Sequence, residues 1–517
     1  SFPNRAKKKT AMLNKLPAYR KTICLTAGLL GVAALPPYYV FPVLFISFGL
    51  LLYFMDKSAT PKQAFACGYW FGFGWFACGF SWVGNALLID AAAFGWLYPL
   101  TLLAAGAFFG LFAGIPAALA WYFKNTYARW LAFASFWVIL EWIRSFIFTG
   151  FPWNLLGSVL AFDDRGLQLA SFFGTYGLSL LVLLCVSAPA LIVVRRTRTS
   201  AAAAAALIAA CSALVCIYGQ QRLKLFPRES SGITVRIVQP SIPQTMKWDA
   251  ASLEKNFFEY ISLSRSKPLD DVDFVIWGET AVPYALDIEP GYRELLTAAV
   301  PPRGYLITGL VRYEFTAADR YRPLNSMFII DKQGEIVDFY DKSHLVPFGE
   351  YIPLRRYLPE WVRPIANTVA DFKPGKSHKT FKLKDYPSFG ALICYEIIFP
   401  AQVVNEKNRP QFLVNLTNDG WYGTSAGPYQ HLVTARLRAV EEGIAVIRAA
   451  NTGISAIISP AGQTLASLPL NYRGIIDAPL PAKLSITTFY GQYGNLVPLT
   501  FCFVNILLAF FLRYKLH

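Results

Sequence analysis

The chain has 517 residues, of which 55% are hydrophobic and only 15% are charged, and its mean hydropathy is +0.38. A single water-soluble core does not need this much apolar side chain, so part of the chain must lie in a membrane. The net charge of +16 does not indicate nucleic-acid binding, because Lys and Arg cluster beside apolar stretches and lack the interleaved aromatic residues of a strand-binding surface.

Eight apolar stretches predict membrane-spanning helices. Basic segments at the N-terminus, between alternate stretches and at the C-terminus place both termini in the cytoplasm. A long polar segment, from about residue 220 to 487, then falls on the periplasmic side of a bacterial inner membrane. The stretches comprise residues 22–35, 38–55, 63–88, 94–123, 128–148, 167–194, 200–219 and 496–512.

The chain is therefore divided into three parts. Residues 1–220 form a transmembrane domain of seven spans, residues 221–487 form a periplasmic domain, and residues 488–517 form a last transmembrane helix. In the periplasmic part, turn sequences at 331–334 and 460–462 separate runs typical of hairpin strands, and helical stretches supply covering layers. A layered α/β sandwich is expected. The predicted strands are 234–238, 274–277, 305–308, 326–330, 335–339, 389–394, 412–416, 445–449 and 454–458.

Cysteine and histidine are too scattered to form a metal site. None of the eight cysteines pairs with another at zinc-ligand spacing, and the four histidines lie far apart. Seven cysteines lie in apolar stretches, so the soluble part has one thiol and no disulfide framework. The sequence predicts no metal and no cofactor.

That one thiol, Cys394, ends the apolar strand sequence Ala391-Leu-Ile and is followed by Tyr395 and Glu396. Most cysteines so placed are buried and structural, but an unpaired thiol on an oxidising side is a liability unless it is used. A nucleophilic thiol needs a base or a cation. Glu279 and Lys342 also follow strand-like runs, although each alone is typical of a solvated loop.

Taken together, these three segments resemble the carbon-nitrogen hydrolase, or nitrilase, superfamily in order, flanks and spacing over residues 233–478. The resemblance implies the αββα sandwich fold and a catalytic triad of Glu279, Lys342 and Cys394. Gly278 stands where many members have proline, and this difference leaves Glu279 in register with the family pattern.

The arrangement of seven spans, a soluble domain and a last span resembles the apolipoprotein N-acyltransferase family. Local sequences support this resemblance at 149–153, 239–248 and 394–396. It implies that Glu350 orients Lys342 or shares in the proton transfers, and that Tyr395 and Glu396 shape the acyl-thioester site. Substrate contacts are expected from Trp248, Phe151, Trp153 and Asn418, although the aromatic residues are equally typical of interfacial anchors.

The resemblance further implies transfer of a fatty acyl chain from a phospholipid, either phosphatidylethanolamine or phosphatidylglycerol, through a cysteine thioester. The acceptor is the N-terminal amine of a diacylglyceryl-modified apolipoprotein, and a monomeric enzyme is expected. Two alternatives are a membrane-tethered amidase with the same triad and a transporter with a regulatory soluble domain. The spans contain few ionisable residues of the kind that mark transport pathways, which disfavours the transporter.

Overall fold

The structure of the protein is a computed structural model. It describes residues 19–226, 230–315, 321–359, 363–365 and 370–515. The basic segment at residues 5–9, on which part of the predicted topology rests, lies outside these ranges.

The N-terminal part consists of helices joined by short connections. Their ends carry the usual capping residues: Thr60 accepts a hydrogen bond from the backbone N–H of Gln63 ahead of Pro61, and Asn125 accepts from the backbone N–H of Tyr127. The helices are α1 (Arg20–Gly31), α2 (Val43–Asp56), α3 (Pro61–Gly79), α4 (Ala91–Phe94), α5 (Tyr98–Phe109), α6 (Leu111–Trp121), α7 (Thr126–Ile143), α8 (Asp164–Gln168), α9 (Ala170–Arg195) and α10 (Arg198–Leu225).

Four helical segments of the described chain are long and apolar enough to cross a membrane: Ala91–Trp121, Ala170–Arg195, Arg198–Leu225 and Leu496–Arg513. The first of these runs from α4 to the end of α6. A helix occurs in each of the eight stretches predicted to span the membrane, but α1, α2, α3 and α7 are shorter or less apolar. Only 11% of the apolar window in Arg198–Leu225 is buried, so this helix presents an apolar surface outward, as a membrane-embedded helix does.

The described residues from 230 onward contain twelve strands and six further α-helices. The strands are β1 (Ser230–Gln239), β2 (Phe274–Ile276), β3 (Tyr305–Phe315), β4 (Tyr321–Ile330), β5 (Ile336–Asp341), β6 (Thr380–Phe381), β7 (Phe389–Ile393), β8 (Phe412–Thr417), β9 (Ala445–Ala450), β10 (Ser455–Ile458), β11 (Thr464–Leu468) and β12 (Gly474–Pro481). The helices are α11 (Gln244–Lys247), α12 (Leu253–Ser264), α13 (Pro290–Leu296), α14 (Gly427–Glu442), α15 (Phe489–Tyr493) and the last one, α16 (Leu496–Lys515).

These strands form two sheets of six, in the orders β12-β1-β2-β3-β4-β5 and β11-β10-β9-β8-β7-β6. The central three strands of each, β1 to β3 and β7 to β9, are parallel, and the outer strands are antiparallel. The predicted strands and both predicted turns are confirmed, whereas β6, β11 and β12 were not predicted.

The sheets pack face to face, and helices cover their outer faces. Alternate residues of β2 point to opposite sides, as the strand period requires. The ring of Phe274 lies 6.3 Å from those of Phe389 and Phe412 in the other sheet. Trp277, just after β2, instead packs 4.8 Å from Tyr260 of α12. The result is the expected αββα sandwich.

A buried ion pair within α14 of the sandwich is hydrogen-bonded to the membrane helix α9. Glu441 of α14 lies 2.9 Å from the guanidinium of Arg438, and its other oxygen accepts from the backbone N–H and the hydroxyl of Thr175 in α9, both at 2.7 Å. Both charged side chains are at most 1% exposed. The contact is possible because α9 kinks at Gly174, whose φ is +65°.

We expect Glu441→Ala to destabilise the protein by about 3–5 kcal/mol, because it leaves Arg438 buried without its carboxylate. Denaturant unfolding in detergent micelles, followed by tryptophan fluorescence, measures the change. Glu406→Ala is the control, because Glu406 is 64% exposed and its pair with Arg409 should contribute less than about 1 kcal/mol. Equal losses in the two variants would mean that the buried pair does not anchor the domains.

Candidate active site

Three polar side chains meet where strands of the two sheets end. Glu279 follows β2 after two residues, Lys342 directly follows β5, and Cys394 directly follows β7. All three line one cavity. Because the sheets pack face to face, the edges at which β2 and β7 end lie together. Strand β5 is antiparallel to β4 and therefore runs in the same direction as β2, so its C-terminal end lies at the same edge.

Lys342 is the centre of a buried charged group. Its Nζ donates to Glu350 at 2.9 Å and to Glu279 at 3.4 Å, and its side chain is 1% exposed. The amide nitrogen of Asn325 donates to the same two carboxylates, at 2.7 Å to Glu279 and 2.9 Å to Glu350. Glu350 also accepts from the backbone N–H of Val346 at 2.8 Å. Lys342 and Asn325 thus each donate to both carboxylates and bridge them.

Asn325 was not among the residues predicted for the site. It lies in β4, separated by Ser326 from the apolar run at 327–330, and its backbone carbonyl accepts from the N–H of Lys342 at 2.8 Å. A polar amide in a buried strand was the available signal in the sequence, because such a group needs a buried partner. The partner itself depends on how β4 and β5 pair.

Cys394 has a left-handed backbone, with φ of +50°, and begins a short 3-10 turn, Cys394–Ile398. Such a φ is uncommon for a residue with a side chain and costs free energy unless the surroundings enforce it. The carbonyl of Cys394 lies 3.2 Å from Nε2 of His431, and Nδ1 of that ring lies 2.8 Å from Asp419.

The group behind Cys394 is completed by Arg448, which donates to Asp419 at 2.6 Å and to Asn415 at 2.8 Å. The side chains of Asp419, His431 and Arg448 are all 0% exposed. Burial alone would raise the pKa of Asp419, but Arg448 and His431 outweigh it and lower that pKa to about 2. This network was not predicted from the sequence, from which only Asn418 was named in this region, as a substrate contact.

The thiol of Cys394 is protonated at rest. Burial, and next the carboxylate of Glu279, raise the pKa of Cys394 to about 12, while Lys342 opposes them. Burial alone would lower the pKa of Lys342, but Glu350 and Glu279 raise it above its ordinary value. The site therefore holds a neutral thiol, a neighbouring carboxylate that can accept its proton, and a permanent cation.

Glu396 forms hydrogen bonds both with the loop that follows Lys342 and with the strand end before Cys394. One of its oxygens accepts from the backbone N–H and the hydroxyl of Ser343 at 2.8 and 2.9 Å and from the Tyr340 hydroxyl at 2.7 Å. Its other oxygen accepts from the N–H of Ile393 at 2.8 Å. Tyr395 lines the cavity and donates its hydroxyl to the carbonyl of Gly150 at 2.6 Å.

The cavity has a volume of about 850 Å³ and extends from the thiol to the membrane helices. One wall comes from the soluble domain and the other from α5 and the short 3-10 helix Ser81–Leu88. The second wall is mostly apolar, and its residues are Trp82, Val83, Ala86, Leu87, Thr101, Ala104, Ala105, Phe108 and Phe109. A long apolar group can therefore reach Cys394 from the membrane side.

The predicted substrate contacts are distributed unequally around this cavity. Trp248, which is 41% exposed, lines it together with Phe151 and Asn418. The structure places Trp153 outside the cavity wall, where it is 2% exposed, packs 4.4 Å from the ring of Trp82 and donates to Gln430 at 2.9 Å. Trp153 thus supports the wall from behind.

A base, a cation and a thiol at the end of an apolar cavity can perform acyl transfer through a thioester. Within the described ranges, no group of three or more His, Cys, Asp or Glu side chains is placed to hold a metal ion.

We expect Glu279→Gln to lower the pKa of Cys394, because it removes a negative charge that raises that pKa. The alkylation rate of Cys394 by iodoacetamide, followed by peptide mass spectrometry from pH 6 to 10, should rise without a plateau in the wild type and should be higher in the variant at each pH. Glu335→Gln is the control, since Glu335 is 72% exposed at the far end of the β4–β5 hairpin. An unchanged or lower alkylation rate in Glu279→Gln would contradict the assigned cause.

Comparisons with known proteins cover most of the chain. A carbon-nitrogen hydrolase family model matches residues 234–488, and a model of the apolipoprotein N-acyltransferase N-terminal domain matches residues 27–188. The chain is 36% identical over 497 residues to the apolipoprotein N-acyltransferase of Rhodopseudomonas palustris, covering 92% of each protein. It is 36% identical over 484 residues to that of Rickettsia typhi, covering 93% of this chain and 96% of the relative.

Among solved structures, a CN-hydrolase superfamily protein from Xanthomonas campestris matches with 19% identity and a TM-score of 0.36, over 48% of this chain and 90% of that one.

Proposed function

The chain belongs to the apolipoprotein N-acyltransferase family, and we propose that it moves a fatty acyl chain from a membrane phospholipid to a lipoprotein amine through a thioester on Cys394. The observation that carries this proposal is the cavity in which an apolar wall from the membrane helices leads to Cys394, Glu279 and Lys342.

The first half of the reaction loads the enzyme. Glu279 takes the proton of the Cys394 thiol as its sulfur attacks the ester carbonyl of the phospholipid. The negative charge that develops on the carbonyl oxygen is stabilised by Lys342, whose cation is fixed by two carboxylates before the substrate arrives. The carbon–oxygen bond then breaks, Glu279 returns the proton to the leaving oxygen, and lysophospholipid departs.

The second half transfers the acyl chain. The N-terminal amine of a diacylglyceryl-modified apolipoprotein attacks the thioester carbonyl and gives a proton to Glu279. The carbon–sulfur bond breaks, the amide is released, and the sulfur of Cys394 is reprotonated. The apolar surroundings of Phe151 and Trp248 keep water from the thioester, which favours the amine as acceptor.

Three neighbouring residues support these steps without forming bonds to the substrate. Glu350 fixes Lys342 at 2.9 Å, and Glu396 joins the loops that carry Lys342 and Cys394. Tyr395 forms part of the acyl site, since it lines the cavity beside Phe151. The amide oxygen of Asn418 is buried and lacks a partner among the described residues, so it is available to a substrate N–H.

The donor is proposed to be phosphatidylethanolamine or phosphatidylglycerol, and the enzyme is proposed to act as a monomer. A membrane-tethered amidase would use the same triad with water as the acceptor. A cavity wall built from membrane helices favours a lipid substrate over a small amide.

The proposed topology has eight crossings. Residues 1–220 provide seven, residues 221–487 form the periplasmic catalytic domain, and residues 488–517 provide the eighth. Both termini then lie in the cytoplasm of a cell whose inner membrane holds the protein. The basic residues between alternate helices support this orientation.

Reporter fusions test the topology. Fusions after Lys124 and after Arg198 should report the cytoplasm, and a fusion within residues 254–267 should report the periplasm. The expectation follows from the basic residues beside the first two positions. The reverse pattern would refute the eight-crossing topology, and so would fusions after Lys124 and after Arg198 that report different sides.

Incubation with phospholipid vesicles tests the reaction. Intact-mass spectrometry should show one added acyl chain on the wild type, on Cys394, with release of lysophospholipid in the absence of acceptor. Cys394→Ser should show none, because a hydroxyl is a far weaker nucleophile without a dedicated base. Glu279→Gln should also block loading, although it lowers the pKa of the thiol. Cys216→Ser, which changes an exposed thiol, is the matched control.

Steady-state kinetics separates the alternatives. A thioester intermediate predicts parallel double-reciprocal plots at several acceptor concentrations. Intersecting lines without lysophospholipid release would remove the thioester from the mechanism. Free fatty acid released as fast as phospholipid is consumed would instead favour the hydrolase.

A further inference from the structure

Lys247 is a buried lysine that the reaction described above does not use. It ends α11, directly before Trp248 of the cavity wall, and is 6% exposed. Its Nζ donates to the backbone carbonyl of Glu279 at 2.8 Å and to the hydroxyl of Thr280 at 2.7 Å. Lysine is rarely buried unless it is paired, and these two acceptors are neutral. Both acceptors belong to the loop that carries the proposed base.

The conformation of that loop requires support. Thr280 has φ of +47°, a left-handed backbone that is unfavourable for a β-branched residue and persists only where the surroundings enforce it. Its hydroxyl also donates to the carbonyl of Glu279 at 2.8 Å, so this carbonyl and hydroxyl form one cluster with the ammonium of Lys247. Lys247 is therefore hydrogen-bonded directly to the strained Glu279–Thr280 peptide.

On the other side of Glu279 the backbone is held by longer hydrogen bonds, and the N–H of Gly309 donates to the carbonyl of Gly278 at 3.3 Å. Gly278 has no side chain to limit its backbone, and the N–H of Glu279 donates to the carbonyl of Thr417 at a long 3.4 Å. Regular pairing of β2 ends at Ile276. The backbone of Glu279 thus lies between a glycine and a strained threonine, and the shortest hydrogen bond to its carbonyl from outside the loop comes from Lys247.

We propose that Lys247 is a positioning residue that holds the strained Glu279–Thr280 peptide and thereby keeps the Glu279 carboxylate beside the Cys394 thiol. This inference rests on the proposed role of Glu279 as the base. Gln244, three residues earlier, accepts from the amide of Asn418 at 2.9 Å, so α11 braces the loop of the base and the loop at 418 together.

A purely electrostatic role for Lys247 makes a different prediction. Burial lowers the pKa of Lys247 to about 8, and its charge also interacts with Glu279 and Cys394. If the charge alone mattered, its loss would have the same effect whatever residue occupied position 280. If Lys247 acts by holding the peptide, replacing Thr280 with glycine should relieve the effect, because glycine adopts a positive φ without strain.

A double-mutant cycle on the full-length protein distinguishes the two roles. The variants are Lys247→Met, Thr280→Gly and the double variant, and the readouts are the rate of Cys394 acylation by phosphatidylglycerol vesicles and the rate of Cys394 alkylation by iodoacetamide. We expect Lys247→Met to slow acylation by about 10-fold or more, because small displacements of a catalytic group have large effects on rate. It should speed alkylation, because a Glu279 carboxylate displaced from Cys394 raises the pKa of the thiol less. Lys255→Met, an exposed lysine of α12, should leave both rates unchanged.

The interaction between the two mutations decides the outcome. In the Lys247→Met background, Thr280→Gly should raise the acylation rate several-fold and return the alkylation rate towards that of the wild type, whereas in the wild-type background it should change neither rate. Equal effects of Thr280→Gly in both backgrounds, or wild-type rates in Lys247→Met, would overturn the proposal, because independent changes are additive. If Lys247→Met does not fold, Thr280→Val removes one acceptor of the same lysine and should slow acylation and speed alkylation; wild-type rates there would also overturn the proposal.

The two readouts separate this inference from the proposed function. Alkylation of Cys394 needs no lipid. A wild type that forms no acyl-enzyme, but whose alkylation rates show the non-additive pattern, would refute the acyl transfer and retain the positioning role. An acyl-enzyme that forms while the effects of the two mutations on both rates are additive would support the acyl transfer and refute the positioning role.

Discussion

The two carboxylates of Glu279 and Glu350 share one cation, Lys342, in a site where all three side chains are at most 9% exposed. Two buried carboxylates repel one another, and the ammonium between them makes their joint burial tolerable. The remaining negative charge lies beside Cys394, where it raises the pKa of the thiol and provides the acceptor for its proton. Glu279 and Lys342 follow the ends of β2 and β5, and Glu350 lies in the loop after Lys342, so β2 and β5 must end at the same edge of the sheet for the three groups to meet.

Much of this arrangement is visible in the sequence because the catalytic groups directly follow apolar strands. The segments before Glu279 and Cys394 are short continuous apolar runs, typical of parallel strands buried on both faces, and β2 and β7 are such strands. The turn at 331–334 indicated the hairpin that delivers Lys342. By contrast, β11 and β12 have exposed, weakly alternating residues, so their pattern does not differ from that of a loop.

The contacts that sequence reasoning missed are long-range and polar. In the sequence, Lys247 resembles a solvated lysine beside an interfacial tryptophan. Its burial depends on its contact with the backbone of Glu279, 32 residues later in the chain. His431 resembles one polar residue on a helix face, yet it lies against the Cys394 carbonyl, 37 residues away. Periodicity reports which face of an element is apolar, but it does not report which buried polar groups are partners.

These polar contacts also explain how a rigid nucleophile can serve a lipid. Cys394 is fixed from behind by His431 and in front by the loop of Tyr395, whose hydroxyl binds the carbonyl of Gly150 next to the membrane helices. The Tyr422 carbonyl likewise accepts from Asn85 at 2.9 Å. The thiol and the apolar wall therefore belong to one packed unit. A phospholipid must bring its ester carbonyl to the thiol, and the acyl chain, which is flexible and has no polar group to bury, is the part of the complex that can adapt most easily.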